Sequence, residues 1–436
     1  MMVFDPLALQ QWTHGVWTQQ PTQAIKCFCF DTRKAKDAFC FLAIPTERDD
    51  GHRYVKQAQE LGASAAIVEH PIEDCALPQL VVDNTLKAFQ AIAASYRKTL
   101  ATKIFAITGS CGKTTAKELL TLLLGKDTYK SPGTFNEQLG VPYSLTGIDP
   151  KRYSKAVLEV GINHPGEMEV LSSLLTPDVA ILINVNPVHL EHFNSVRHIA
   201  EEKLKLLHSA TQVCYCPEEW SVLAPKDNLR VFPKNSAQPT SNGWDLTVDD
   251  HHFTLRYPVG DDVAQTFANL LWIAIQEGIP PAVLQSRLEQ WHPMDNRGAW
   301  HIDPKTHCRY FVDCYNANPV AFKNSLQQFY REKPTDSPVC YIIGSMLELG
   351  EKSAYYHTSV TQHLRVNPQD CFVCIGSFAK VLQDGILQQG AKPSQIYTFD
   401  QTAQAHTLVR SLQMSCFYLK GSKFYQLEQL IHGCTA

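Results

Sequence analysis

The segment Thr108-Gly-Ser-Cys-Gly-Lys-Thr-Thr115 constrains this chain more than any other stretch. An apolar run, Ile104–Ile107, leads into it. Leucines at helical spacing, Leu119, Leu120, Leu123 and Leu124, follow it. A buried strand, a glycine turn and a helix in that order belong to a parallel sheet covered by helices. Gly109 and Gly112 let backbone N–H groups approach a bound anion without a Cβ in the way. The helix N-terminus adds partial positive charge. Lys113 supplies a mobile cation for β- and γ-phosphates, and the Thr114 hydroxyl is placed to ligate Mg²⁺. Ser110, Cys111 and Thr115 complete the expected ATP cradle. Such loops usually carry a glycine at position 107, where this chain has Ile107, so Gly109 takes that role. A glycine-rich turn with an incidental lysine is the alternative, and the flanking strand and helix argue against it.

The 436 residues divide by texture into three expected domains, 1–100, 101–297 and 298–436. The first mixes short strand-like runs (Cys27–Phe30, Ala38–Ile44, Ala65–Val68, Leu80–Val82) with a helical stretch, Leu86–Tyr96. The second holds the glycine loop and further buried runs, Ala156–Val160 and Val179–Asn184. The third repeats apolar runs at Tyr310–Val312, Val339–Ile343, Cys371–Ile375 and Phe417–Leu419, separated by helical patterns. That is a second, doubly wound α/β unit. The stretch Trp291–Arg297, which contains a proline, is the expected hinge before it.

Composition narrows the function classes. A net charge of −4 argues against a nucleic-acid binder. No run approaches the roughly 18–20 apolar residues of a membrane span. The N-terminus lacks a basic, then apolar, export signal. The 14 cysteines are scattered rather than framed, as in a reducing cytoplasm. Cys371 and Cys374 lie in a buried strand pattern and point to opposite faces, which disfavours a metal or redox pair.

Further motifs follow in order. The loop extends into Ala116-Lys-Glu118. Gly133-Thr-Phe-Asn-Glu-Gln-Leu-Gly-Val-Pro142, Glu159-Val-Gly161 with Gly166-Glu167, and Asn184-Val-Asn-Pro-Val-His-Leu-Glu-His-Phe-Asn-Ser195 come next. Later come Asp313-Cys-Tyr-Asn-Ala-Asn-Pro319, Gly344-Ser-Met-Leu-Glu-Leu-Gly-Glu351 with His357, and Leu419-Lys-Gly-Ser422. Asp31-Thr-Arg33 and Asp50-Gly-His52 mark the N-terminal region. In this order and over nearly the whole chain, these motifs resemble the Mur ligases, and among them the branch that adds D-alanyl-D-alanine.

The resemblance implies a three-domain α/β architecture with a central P-loop parallel-sheet domain and a C-terminal Rossmann-like domain. It implies ATP and two Mg²⁺ ions as cofactors. Thr114 and Glu159 would serve one ion, and His189 with a carbamoylated Lys203 the other. Glu159 also reads independently as a carboxylate at the ligand edge of a parallel sheet. Asn269, Arg297 and Asp313 are the expected nucleotide contacts beyond the loop. Asp31, Thr32, Arg33, Asp50, Gly51, His52 and Asn136 would bind the UDP-MurNAc-tripeptide, and Tyr315, Asn316 and Asn318 the D-alanyl-D-alanine. The implied protein is a cytoplasmic monomer. Thr134, Glu137, Lys205 and Gln265 depart from the family pattern and are expected to tune the rate rather than change the reaction. On the residues alone, Lys203 in Glu201-Glu-Lys-Leu-Lys205 reads as a surface lysine of a charged helix. A folylpolyglutamate or cyanophycin-type ligase and a degenerate nucleotide-binding protein are the rival readings.

Overall fold

A computed structural model describes residues 3–47, 49–334 and 337–431. Its strands form four sheets. In the first, Cys27–Cys29, Phe39–Leu42, Ala65–Val68 and Gln79–Val81 pair in parallel, and Val16–Trp17 closes one edge antiparallel. The helix Thr85–Thr99 follows. Asn84 starts it by accepting the Lys87 N–H at 2.9 Å. Its buried face is Ala88, Phe89, Ile92, Ala93 and Tyr96. The helix runs three residues beyond the expected end, to Thr99.

The second sheet has the order Leu229–Val231, Val213–Cys216, Val179–Leu182, Lys103–Thr108, Lys155–Glu159, Thr128–Lys130. Lys103–Thr108 lies inside it, paired in parallel with Val179–Leu182 on one side and Lys155–Glu159 on the other. A strand buried on both faces reads as a continuous apolar run rather than an alternating one, as Ile104–Ile107 does. The fourth sheet places Arg309–Asp313, Cys416–Lys420, Val339–Gly344, Cys371–Ile375 and Ile396–Phe399 side by side and parallel, with Ala299–Ile302 antiparallel at one edge. Cys371 and Cys374 do face opposite sides of it, in separate apolar clusters.

The third sheet is absent from the sequence reading. Ser236–Thr240, Gly243–Val248 and His251–Leu255 form an antiparallel meander. Trp244, Leu246 and Val248 are buried on one face, while Asp245 points outward. Asp249 and Asp250 turn the last hairpin with φ of 43° and 62°. Aspartate tolerates that left-handed geometry, and such two-residue turns match the strand twist.

Internal contacts group the chain into two compact units. One is 1–108, 124–182 and 202–230; the other is 109–123, 183–201 and 231–436.

Candidate active site

In the first unit, neighbouring strands end at Thr108 and Glu159, with Ile107 in register with Glu159. The Glu159 carboxylate is 2% exposed. Asn136 donates its amide to Glu159 Oε1 at 2.6 Å, and the Asn136 carbonyl accepts the Gly161 N–H at 2.7 Å. Asn136, expected at the substrate, thus also orients the expected metal ligand. Gly161 packs closely against this side chain, since a Cβ there would lie 3.1 Å from the Asn136 amide. Glu137, a departure from the family pattern, accepts from Asn163 at 2.8 Å.

Lys203 differs from its residue-level reading. It lies in the helix Val196–His208 and is 1% exposed, and Glu202 is 5% exposed. The charged helix therefore turns this lysine inward. Lys205 is the solvent-side partner, pairing with Glu202 at 2.5 Å and Glu169 at 3.8 Å. Glu202 also accepts the Gly166 N–H.

In the N-terminal sheet's loops, Asp31 grips Arg33 through two bonds of 2.8 and 3.0 Å. The guanidinium holds the Asp31 carboxyl below its usual range. The Arg33 side chain remains 87% exposed, so its charge faces solvent. Thr32 donates to Gln57. Asp50 bonds the His52 Nδ1 at 2.6 Å, and the His52 Nε2 accepts the Glu69 N–H at 2.8 Å. Gly51 packs so tightly that a Cβ would fall 2.6 Å from the Ile44 nitrogen.

In the second unit, the glycine loop is shaped by two asparagines that the sequence reading left without a role. Asn184 Oδ1 accepts the Ser110 and Cys111 N–H groups, both at 3.1 Å, and its amide donates to the Cys111 carbonyl at 3.0 Å. Asn186 exchanges bonds with the Ser110 hydroxyl and donates to the Cys111 sulfur at 3.2 Å. The Ser110 and Cys111 N–H groups, expected at ATP, therefore build the loop. The next helix, Lys113–Leu124, starts directly after the loop, and its N-terminus carries the partial positive charge that favours an anion. Gly112 takes φ of 77°, and a Cβ on Gly109 would strike Ile183 at 2.4 Å. Lys113 folds back to the Gly109 carbonyl at 2.9 Å. Burial raises the Cys111 thiol, so this cysteine is no thiolate nucleophile.

The same unit gathers the later motifs. Asp313 and Lys420 end adjacent parallel strands. Lys420, 1% exposed, bonds Asp313 at 2.8 Å and the Asn316 carbonyl at 2.7 Å. The Arg297 guanidinium lies 3.9 Å and the Lys423 ammonium 5.0 Å from the centre of the Tyr315 ring. Asn318 caps the helix Pro319–Glu332 through the Ala321 N–H. Asn269, expected at adenine, bonds Asn235 and Gln265.

His357 is structural. Its Nε2 accepts the Met346 N–H at 2.8 Å and its Nδ1 donates to the Ser353 carbonyl at 2.7 Å. Burial lowers its pKa from 6.5 to about 4. The ring is neutral when folded, so stability is complete above 6.5 and falls as pH drops toward 4, where only the unfolded chain takes up the proton. The loss reaches on the order of 3 kcal/mol. Urea titrations from pH 7 to 4 check it, and His357→Gln should flatten that part of the curve.

A strand, glycine loop and helix at the carboxyl edge of a parallel sheet define the P-loop class of α/β proteins. Residues 107–239 match the Mur ligase middle domain and residues 302–422 the Mur ligase glutamate ligase domain, together more than half of the chain. The chain belongs to the Mur ligase family. Among its relatives, the UDP-N-acetylmuramoyl-tripeptide–D-alanyl-D-alanine ligase of Escherichia coli is 29% identical, over 92% of each chain. A crystal structure of MurF from Acinetobacter baumannii superposes with a TM-score of 0.85 at 28% identity, covering 99% of this chain and 98% of that one. MurF ligase from Thermotoga maritima, solved in complex with ADP, shares the fold with a TM-score of 0.75 at 23% identity and covers 93% and 96%. No helix among the described residues is long and apolar enough to cross a membrane.

The donor chemistry suits Mg²⁺. A buried threonine hydroxyl at Thr114 and a buried carboxylate at Glu159 are hard oxygen donors. His189 adds an imidazole. The buried Lys203 becomes an oxygen donor if carbamoylated.

Proposed function

We propose that this protein is an ATP-dependent ligase that joins D-alanyl-D-alanine to UDP-MurNAc-tripeptide, making a peptidoglycan precursor in the cytoplasm. The buried Glu159 carries the reading: a carboxylate oriented by Asn136 ends the strand beside the one that feeds the glycine loop. The carboxyl ends of the strands are where an open parallel sheet binds its ligands, which puts this carboxylate at the position expected of a metal ligand. Residues 1–100 would bind the UDP-sugar peptide through Asp31–Arg33 and Asp50–His52. Residues 101–297 would bind ATP, and 298–436 the dipeptide through Tyr315, Asn316 and Asn318.

The chemistry follows from these groups. Gly112–Thr115 and Lys113 hold the triphosphate with its γ-phosphorus facing the acceptor. The tripeptide's terminal carboxylate attacks that phosphorus in line, ADP leaves, and an acyl-phosphate forms. Lys113 and the helix N-terminus offset the charge that develops on the phosphoryl oxygens. Thr114 and Glu159 would hold one Mg²⁺ and His189 with a carbamoylated Lys203 the other, and these ions would neutralise phosphate charge. Arg297, stacked on Tyr315, and Asp313, fixed by Lys420, complete the nucleotide contacts. The dipeptide amine attacks the acyl carbon and inorganic phosphate departs, leaving the amide. Water would hydrolyse the acyl-phosphate, so the site has to exclude it.

Phosphate release tests the proposal. ATP, Mg²⁺, UDP-MurNAc-tripeptide and D-alanyl-D-alanine together should yield phosphate, and omission of any one should abolish it. Silence in the full mixture, with ATP still bound, would favour the degenerate binding protein. Release with folate and glutamate instead would favour the other ligase type.

A further inference from the structure

The loop Gly344–Glu351 has no role in the chemistry above, yet it carries a contact with consequences. Glu348 Oε2 lies 2.5 Å from His189 Nδ1. That bond places the ring proton on Nδ1 and leaves the Nε2 lone pair as the coordinating position. A carboxylate in this relation to a metal-binding imidazole fixes the tautomer and raises basicity. The backbone supports a built arrangement. His189 and Glu348 both adopt left-handed φ, 52° and 63°, which non-glycine residues keep where the surroundings enforce it. Gly350, at φ 59°, abuts the histidine's loop, since a Cβ there would lie 3.1 Å from the Leu190 carbonyl oxygen. The buried His357 ring anchors the near end of the Glu348 loop through the Met346 N–H. An exposed ion pair alone would contribute little. What distinguishes this one is the nitrogen it leaves available.

We propose that Glu348 is a positioning residue for His189, orienting the imidazole toward Mg²⁺. Cation affinity then depends on the 344–351 loop being seated against the 189–191 loop. The inference rests on His189 as a metal ligand of the proposed ligase.

The test uses the full-length protein with ADP present and Mn²⁺ as probe, free Mn²⁺ being read by electron paramagnetic resonance. Glu348→Ala should weaken one Mn²⁺ site about 10- to 100-fold, and Glu348→Gln, which keeps an acceptor oxygen, should weaken it less. The thermal midpoint measured without metal should not move. In a His189→Ala background, Glu348→Ala should have no further effect on Mn²⁺. Unchanged Mn²⁺ affinity in both single variants overturns the proposal, as does a full additional loss in the double variant. If wild type binds Mn²⁺ and the variants weaken it but the full substrate mixture releases no phosphate, the ligase reading fails and this one stands. If wild type ligates while both variants bind Mn²⁺ as it does, this inference alone fails.

Discussion

Replacing Lys113 by alanine lowers kcat for phosphate release by roughly 10³-fold, the size of effect seen when a preorganised charge at a transferring group is lost. The argument is local. Lys113 is the cation of the glycine loop, and its ammonium already lies on the loop's inner rim, 2.9 Å from the Gly109 carbonyl. The loop itself does not need it. Asn184 and Asn186 hold Ser110 and Cys111 by six hydrogen bonds that the substitution leaves in place. The thermal midpoint should therefore stay near wild type while turnover collapses. Steady-state kinetics beside a melting curve check both halves. A comparable fall in both would mean that the lysine is structural.

Lys420→Met carries the largest expected cost in stability. The lysine side chain is 1% exposed, and its ammonium satisfies both the Asp313 carboxylate and the Asn316 carbonyl. Removing it leaves a mostly buried carboxylate and a carbonyl without their donor. Breaking such a pair from one side costs about 3–5 kcal/mol, because the remaining charge stays desolvated. The Asp313→Asn, Lys420→Met double variant should recover part of that loss, since it removes the stranded charge. Urea unfolding of the singles and the double measures the coupling. Additive losses would show that the two side chains do not act as a pair.

The sequence made the parallel sheets legible because strands buried on both faces leave unbroken apolar runs. Ala65–Val68 and Cys371–Ile375 match the observed strands residue for residue. The antiparallel meander of 236–255 escaped although Asn242-Gly243 marks its first turn, because its alternation is short and its second turn is Asp249-Asp250 rather than a glycine pair. The site was legible where chemistry demands a residue type, as in the glycine loop and at Glu159. It was less legible where a residue acts through another. Asn184 sits in a quoted motif, but nothing local shows that its side chain brackets a peptide 73 positions away. Asn136 orients Glu159 across 23 positions. Lys203 misled because a stretch of charged residues reads as a solvated face, whereas the helix turns that one lysine inward.

The central claim is that a carboxylate is activated by phosphorylation. The direct measurement uses tripeptide substrate with ¹⁸O in both oxygens of its terminal carboxylate, followed by mass spectrometry of the phosphate released during ligation. Attack on the γ-phosphorus puts one carboxylate oxygen into the P–O bond, and amine attack at carbon leaves it there. The account predicts one ¹⁸O in each phosphate and one retained in the new amide. Phosphate free of ¹⁸O, formed while the amide product accumulates, would contradict it.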